Sequence, residues 1–273
     1  MVRPFSYSQI STYLECPLRY RLRYLDRLPT KPRPYFSFGA TLHRCLVYYF
    51  GKRRKQPPTL AKWLGFYRQT WTSAGYRSPE EEERYRAAGR DILTTFWQRH
   101  TAPFQQPLAT ESRFLVEIAG VPLLGFIDRV DLSPQGGLVI MDYKSSQNPP
   151  SMREVQSDLQ LSLYQMACQK TWLLPVEALA IYHLRTNKTV GSEPRSAAQL
   201  RETEATVREV VHAIARGAFP ARRSHFCPCD YPEFCPYFPS TSSFDKLRRR
   251  PESIEGTASG HHREAPSVGP DHK

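Results

Sequence analysis

Two apolar, β-branched runs constrain this chain most, Gly125-Phe-Ile-Asp-Arg-Val-Asp-Leu132 and Gly137-Leu-Val-Ile-Met-Asp-Tyr-Lys144. Both have strand character, and the Ser133-Pro-Gln-Gly stretch between them has turn chemistry, so the spacing predicts a β-hairpin. Side chains two apart on a strand share a face, which puts Asp142 and Lys144 on the same side of the second strand. With Asp128 across from them on the first strand, two carboxylates and an ammonium converge at the end of an otherwise apolar hairpin. Three such charges are costly unless a cation or a substrate compensates them. The hairpin is therefore the place to look for chemistry.

The 273 residues can bury a sizeable core, and 40% hydrophobic with 12% aromatic content suits a globular enzyme. No apolar run approaches the roughly 18 to 20 residues of a membrane span. Met1-Val-Arg-Pro-Phe-Ser6 lacks a secretory apolar core, so a cytoplasmic protein is expected. Of the net charge of +12, the stretch 241–273 holds only +1, with six Lys/Arg against five Asp/Glu. The basic charge thus belongs to the part expected to fold, which fits a polyanionic partner such as DNA, or a generally basic protein.

Along the chain, residues 6–26 read as helical, with Ser6 or Ser8 as N-cap and Pro17 restarting the helix. Pro29–Pro34 reads as a linker, and Ser37–Phe50 as a helix capped by Ser37, with His43 at the margin of its apolar stripe. Further helices are expected at 59–75, 79–100, about 153–171 and 196–217, and strands at 109–119, 121–132, 137–144 and 176–185. Lys188–Val190 is expected to pair with the last strand. Gln160 and Tyr164 are four apart and share one helix face. Residues 240–273 turn to Ser, Pro, Gly, Glu and Arg and are expected to be disordered.

Asp128, Asp142 and Lys144 are the residue types that metal-assisted phosphodiester hydrolysis needs. Hard oxygen ligands suit Mg²⁺ or Mn²⁺, and an ammonium can orient water and offset developing charge. Asp-x-Lys alone also describes an ordinary surface ion pair. These residues fall in a series of five segments, in order: Ser6–Tyr20 with its Cys16-Pro17, Phe38-Gly-Ala-Thr-Leu-His43, Gly125–Asp131, Ile140-Met-Asp-Tyr-Lys144 and Asp158-Leu-Gln-Leu-Ser-Leu-Tyr164. Together with Ala218-Phe-Pro220 they resemble the PD-(D/E)XK nuclease superfamily, in its RecB/AddB-like branch, which includes CRISPR-associated RecB-like exonucleases. The resemblance runs over residues 6–238. It implies an α/β, restriction-endonuclease-like core with a central mixed β-sheet flanked by helices, an N-terminal helical region and a C-terminal cysteine cluster. It also implies a nuclease domain over 1–239 with a helical insertion at about 52–105.

Residue by residue, the resemblance implies His43, Asp128, Asp142 and the Tyr143 carbonyl as metal ligands. Lys144 becomes the catalytic lysine, and Gln160 and Tyr164 support the lysine or the DNA. Glu111, on the preceding strand, is left out of this set. The same branch often holds a [4Fe–4S] cluster between one N-terminal and three C-terminal cysteines, which points to Cys16, Cys227, Cys229 and Cys235. Cys227-Pro-Cys229 is one residue shorter than the branch's usual spacing, and zinc is the alternative occupant of four thiolates. Cys45 and Cys168 sit in helical apolar patterns and read as buried hydrophobes. The expected activity is a metal-dependent deoxyribonuclease, an exonuclease or single-strand nuclease, in DNA repair, recombination or CRISPR adaptation. The alternative is an idle DNA-binding scaffold of a larger complex. The sequence holds no Gly-x4-Gly-Lys-Ser/Thr loop, so unwinding would need a separate helicase or recombination protein.

Overall fold

Five strands form one mixed sheet in the order β1 (Ala109–Ile118), β2 (Val121–Leu132), β3 (Leu138–Lys144), β4 (Val176–His183) and β5 (Lys188–Ser192). The computed structural model describes residues 3–51, 54–225, 227 and 229–238; the stretch 240–273 lies outside them. The β2–β3 pair is the expected hairpin, antiparallel with Arg129 opposite Met141. Its turn is closed by the Ser133 N–H donating to the Gly137 carbonyl (2.8 Å), with Gly136 at a φ of +89° that favours glycine. β4 runs parallel to β3, with Tyr143 beside Tyr182, while β5 returns antiparallel. A parallel neighbour needs a crossover, and α6 (Met152–Gln156) with α7 (Leu159–Trp172) supplies it.

Helices cover both faces of the sheet. One layer packs α1 (Tyr7–Glu15), α7 and α8 (Ala197–Ala215) onto Ile127, Val130, Ile140, Leu179 and Ile181. On the other face α3 (Pro34–Phe50), α4 (Leu60–Gln69) and α5 (Pro79–His100) enclose Tyr143 and Tyr182 in an aromatic core with Phe38, Tyr49, Trp63 and Phe96. The alternation of β3 is therefore used on both faces: Ile140 and Asp142 point to the α7 side and Tyr143 to the α3 side. Cys45 and Cys168 are fully buried in these layers, as their patterns implied.

Several local signals read as expected. Ser6 caps α1 with a reciprocal Ser6–Gln9 capping box, and Pro17 opens the four-residue α2 (Pro17–Tyr20), which continues as a π-helical turn at Arg21–Leu25. Ser196 caps α8, and Gly217 follows it at φ +71°. Two expectations fail. The α3 helix begins at Pro34, not after Ser37, because Pro suits the first helical position behind an extended Arg33. Ser37 instead lies inside the helix and donates its hydroxyl to the Ala74 carbonyl (2.6 Å). The helix expected at 153–171 breaks at Ser157, and Asp158 caps a new one by accepting from the Leu161 N–H (2.8 Å).

The chain divides into two compact units, Met1–Tyr231, which contains the sheet and its helices, and Pro232–Lys273. The described part of the second unit contains a 3₁₀ turn at Pro232–Phe234, followed by Cys235. Among the described residues, no helix is long and apolar enough to cross a membrane.

Candidate functional site

The site forms where β2 and β3 meet the middle of α3. Asp128 and Asp142 each lie one residue beyond the paired Arg129 and Met141, and Asp128 Oδ2 accepts the Tyr143 N–H (2.8 Å). That bond fixes one carboxylate against the backbone that carries the other. Asp142 is 2% exposed, and its Oδ2 lies 2.7 Å from Lys144 Nζ. The same Oδ2 makes no directed hydrogen bond, so a buried carboxylate oxygen is left with a charge contact and spare acceptor capacity.

From the other face, α3 delivers His43. Gly39, one turn earlier, lets the helix come close to the end of β3: a Cβ there would sit 3.0 Å from Ser145 Oγ. His43 Nε2 donates to the Tyr143 carbonyl (3.0 Å), and Nδ1 lies 3.5 Å from Asp128 and 3.9 Å from Glu111. Among the described residues, His43, Glu111 and Asp128 form the group of three whose ligand atoms all fall within 4.8 Å of one another.

Glu111 is the residue the sequence reading noticed on its strand but left out of the ligand set. It sits in β1 with a φ of +45°, a left-handed conformation that costs a non-glycine residue about 1–3 kcal/mol. Its strand position alternates normally in the sequence, so nothing there signals that its backbone turns toward the site. Tyr7, at the start of α1, was likewise not given a role; burial raises its pKa, with smaller contributions from the charges of Asp158, Lys144 and Asp142.

The charge state matches a site short of positive charge. Burial, reinforced by Asp128 and opposed by Lys144, raises the Asp142 pKa to about 7. Glu111 is also raised, by burial and then by Asp128. Burial opposes a charged His43 ring, yet the hydrogen bond and charge of Asp128, with Asp142 and Glu111, lift its pKa to about 9. Burial likewise disfavours the Lys144 ammonium, but Asp142 outweighs it and raises the pKa, so Lys144 stays charged.

Behind the lysine, α7 supplies a relay. Lys144 Nζ donates to Gln160 Oε1 (2.7 Å), and Gln160 Nε2 donates to the buried Tyr164 hydroxyl (2.7 Å). The four-residue spacing makes both contacts possible from one helix face. All of the acidic, basic and relay residues expected from the sequence thus come together, and Glu111 joins them. Two carboxylates and an imidazole, with the Asp142 carboxylate beside them, are a mostly oxygen donor set that suits Mn²⁺ or Mg²⁺. The buried Asp142 oxygen without a directed partner, and a proton on His43 that a cation would displace, fit such an ion.

The cysteines are less gathered. Cys16, Cys227 and Cys229, all in the first unit, form no disulfide and are half-buried. Cys16 Sγ accepts the Arg222 N–H (3.4 Å) and Cys227 Sγ the Ser224 N–H (3.5 Å). These three do not form a group with ligand atoms within 4.8 Å, and Cys235 belongs to the second unit.

Comparison with known proteins agrees with the geometry. The sequence profile of the PD-(D/E)XK nuclease superfamily matches residues 4–237. The Gene 69 protein of Mycobacterium phage D29 is 24% identical over 259 residues, covering 85% of this chain and 93% of the phage protein. The Gene 69 protein of Mycobacterium phage L5 is 23% identical, covering 85% and 96%. A crystal structure from Eubacterium rectale, named "Putative exonuclease", superimposes with a TM-score of 0.54 at 12% identity, covering 90% of this chain and 93% of that one. That last likeness is one of fold.

Proposed function

The chain belongs to the PD-(D/E)XK nuclease superfamily, and we propose that it is a cytosolic, divalent-metal-dependent deoxyribonuclease that acts on single strands or DNA ends. One observation carries the proposal: His43, Glu111 and Asp128 converge within 4.8 Å beside the buried Asp142–Lys144 pair. The RecB/AddB-like branch, and with it a role in DNA repair, recombination or CRISPR adaptation, is the placement that the order of motifs favours. A separate helicase would be its natural partner.

In this reading His43, Asp128 and Asp142, with Glu111 and the Tyr143 carbonyl, would hold Mg²⁺ or Mn²⁺. When bound, the ion would polarise the scissile phosphate and lower the pKa of a water. The chain's own residues do the rest. The Lys144 ammonium, held between Asp142 and Gln160, stands ready to orient the attacking water and offset charge as it grows on the phosphate. Gln160 fixes the direction of that ammonium by accepting a hydrogen bond from it, and the buried Tyr164 fixes Gln160 in turn. The Tyr143 N–H holds Asp128 against rotation. Cys16, Cys227, Cys229 and Cys235 would ligate a [4Fe–4S] cluster, or zinc. The N–H groups directed at Cys16 and Cys227 support this part, and iron and sulfide analysis after anaerobic purification decides it.

The test is digestion of labelled single-stranded and duplex DNA with Mg²⁺ or Mn²⁺. Loss of DNA that stops in EDTA and in Asp142→Ala is the expected result. Salt-dependent DNA binding with no cleavage under either metal would establish the idle scaffold instead.

A further inference from the structure

The exposed face of α3 has a design that metal binding does not explain. Tyr35, Gly39, His43 and Val47 recur every four residues, and Phe36, Ala40, Arg44 and Tyr48 run beside them. These eight, with Phe66 and Glu111, line one cavity of about 800 Å³. The metal-site residues His43 and Glu111 stand in its wall. Gly39 and Ala40 are the smallest side chains in the row and leave an open floor next to His43.

At the head of the floor stand two aromatic rings. Tyr35 and Phe36 are 52% and 54% exposed, with ring centroids 4.5 Å apart at 50°. Large aromatic rings this exposed, at the N-terminal turn of a helix otherwise packed into the core, ask for a partner. The same two rings also border a second cavity of about 550 Å³, lined by Arg19, Arg23, Lys31 and Arg33. Arg19 and Arg33 are partly offset by Glu15 and Asp230, whereas Lys31 is exposed. Basic groups, then an aromatic sill, then an open floor, then the carboxylate cluster follow one another along a single route. From Tyr35 to His43 is eight helical residues, about 12 Å along the axis.

We infer that this face is the track for a single strand of DNA: bases stack on Tyr35 and Phe36, and phosphates pass between the Arg23–Lys31 cavity and the His43–Glu111–Asp128 cluster. Stacking needs an open base face, which a single strand offers and a paired duplex keeps inside. Alternating basic and aromatic surface is what sequence-tolerant strand binding uses. The inference rests on the nuclease reading and adds its substrate form, placing the platform a few nucleotides from the bond to be cut.

The experiment is binding of a single-stranded oligonucleotide carrying 2-aminopurine, read by fluorescence in EDTA. The wild-type protein quenches the probe by stacking. Tyr35→Ala and Phe36→Ala each lose quenching and bind about 5- to 150-fold more weakly, the range expected for one lost base stack. Ala40→Phe, which fills the floor, weakens binding as well. Affinity for a blunt duplex of the same sequence stays within about twofold in all three. Circular dichroism and thermal unfolding confirm that each variant folds, and substitution at these exposed positions leaves the core untouched. With Mn²⁺ added, KM for single strands rises in the variants more than kcat falls. Equal quenching and equal single-strand affinity in folded variants would overturn the track. Because binding is read without turnover, a protein that stacks DNA but never cleaves it would refute the nuclease reading and leave the track intact.

Discussion

Replacing Asp142 by Asn removes a charge while keeping the volume, and it separates what this carboxylate costs the fold from what it gives the site. Asp142 is 2% exposed, and its pKa climbs from an ordinary 3.8 to about 7 despite Lys144 at 2.7 Å. The folded protein therefore holds more protons than the unfolded chain between those values, and stability falls as pH rises through that window. At pH 8, keeping Asp142 ionised costs on the order of 4 kcal/mol, at about 1.4 kcal/mol per unit. At pH 4 the cost is under about 1 kcal/mol, because the folded carboxyl is then protonated and the unfolded one is only about half ionised. His43 draws part of its raised pKa from Asp142, which returns some of the gain. Asp142→Asn is therefore expected to be about 2 kcal/mol or more stabler than wild type in EDTA at pH 8, with the gap closing by pH 4. Urea unfolding at the two pH values reads this directly. Saturating Mn²⁺ should reverse the order, since a hundredfold excess over Kd adds about 2.7 kcal/mol to a protein that binds it. An Asn variant less stable than wild type in EDTA at pH 8, or one equally stabilised by Mn²⁺, would refute the reasoning.

Three smaller perturbations test the neighbours. Gln160→Ala removes the acceptor that aims Lys144; kcat should fall roughly tenfold to a hundredfold with Mn²⁺ affinity unchanged, and the pH–rate profile should move. Glu111→Gln should weaken Mn²⁺ binding by roughly 10- to 100-fold in calorimetry, an effect of the size seen when supporting groups of a metal site are removed. On the opposite side of the sheet, Arg129 is buried over the Phe50 ring (4.5 Å) and pairs with Asp131 (2.8 Å). Asp131→Ala strands that guanidinium and should cost about 3 kcal/mol in urea unfolding without changing metal affinity.

The hairpin, its turn and the shared face of Asp142 and Lys144 were legible because a strand's two-residue period determines facing directly. The α7 relay was legible for the same reason, since four residues on a helix bring Gln160 to Tyr164. The layer arrangement could be expected once a helix was seen to separate β3 from β4. His43 was a different matter: its periodicity placed it only at the edge of an apolar stripe, and the resemblance of Phe38–His43 to a family motif gave it a role. Glu111 was legible only as an acidic residue on the neighbouring strand, because its approach depends on a left-handed backbone angle that strand alternation does not encode. The start of α3 was misplaced because Pro34 looks like the end of a linker, yet it serves equally as a first helical residue. The aromatic sill went unread for a related reason: Tyr35 and Phe36 lie between the stretch assigned to the linker and the helix expected from Ser37.

The central claim is that the Asp142–Lys144 end of the hairpin cuts phosphodiester bonds with a bound divalent cation, and Lys144 tests it most directly because it is charged but is not a proposed ligand. Single-turnover cleavage of end-labelled single-stranded DNA in Mn²⁺, with Mn²⁺ affinity measured alongside, compares wild type with Lys144→Ala. The account predicts a rate about 100- to 1,000-fold lower in the variant, at Mn²⁺ affinity no weaker than wild type. A Lys144→Ala protein that binds Mn²⁺ and cleaves at the wild-type rate would contradict it.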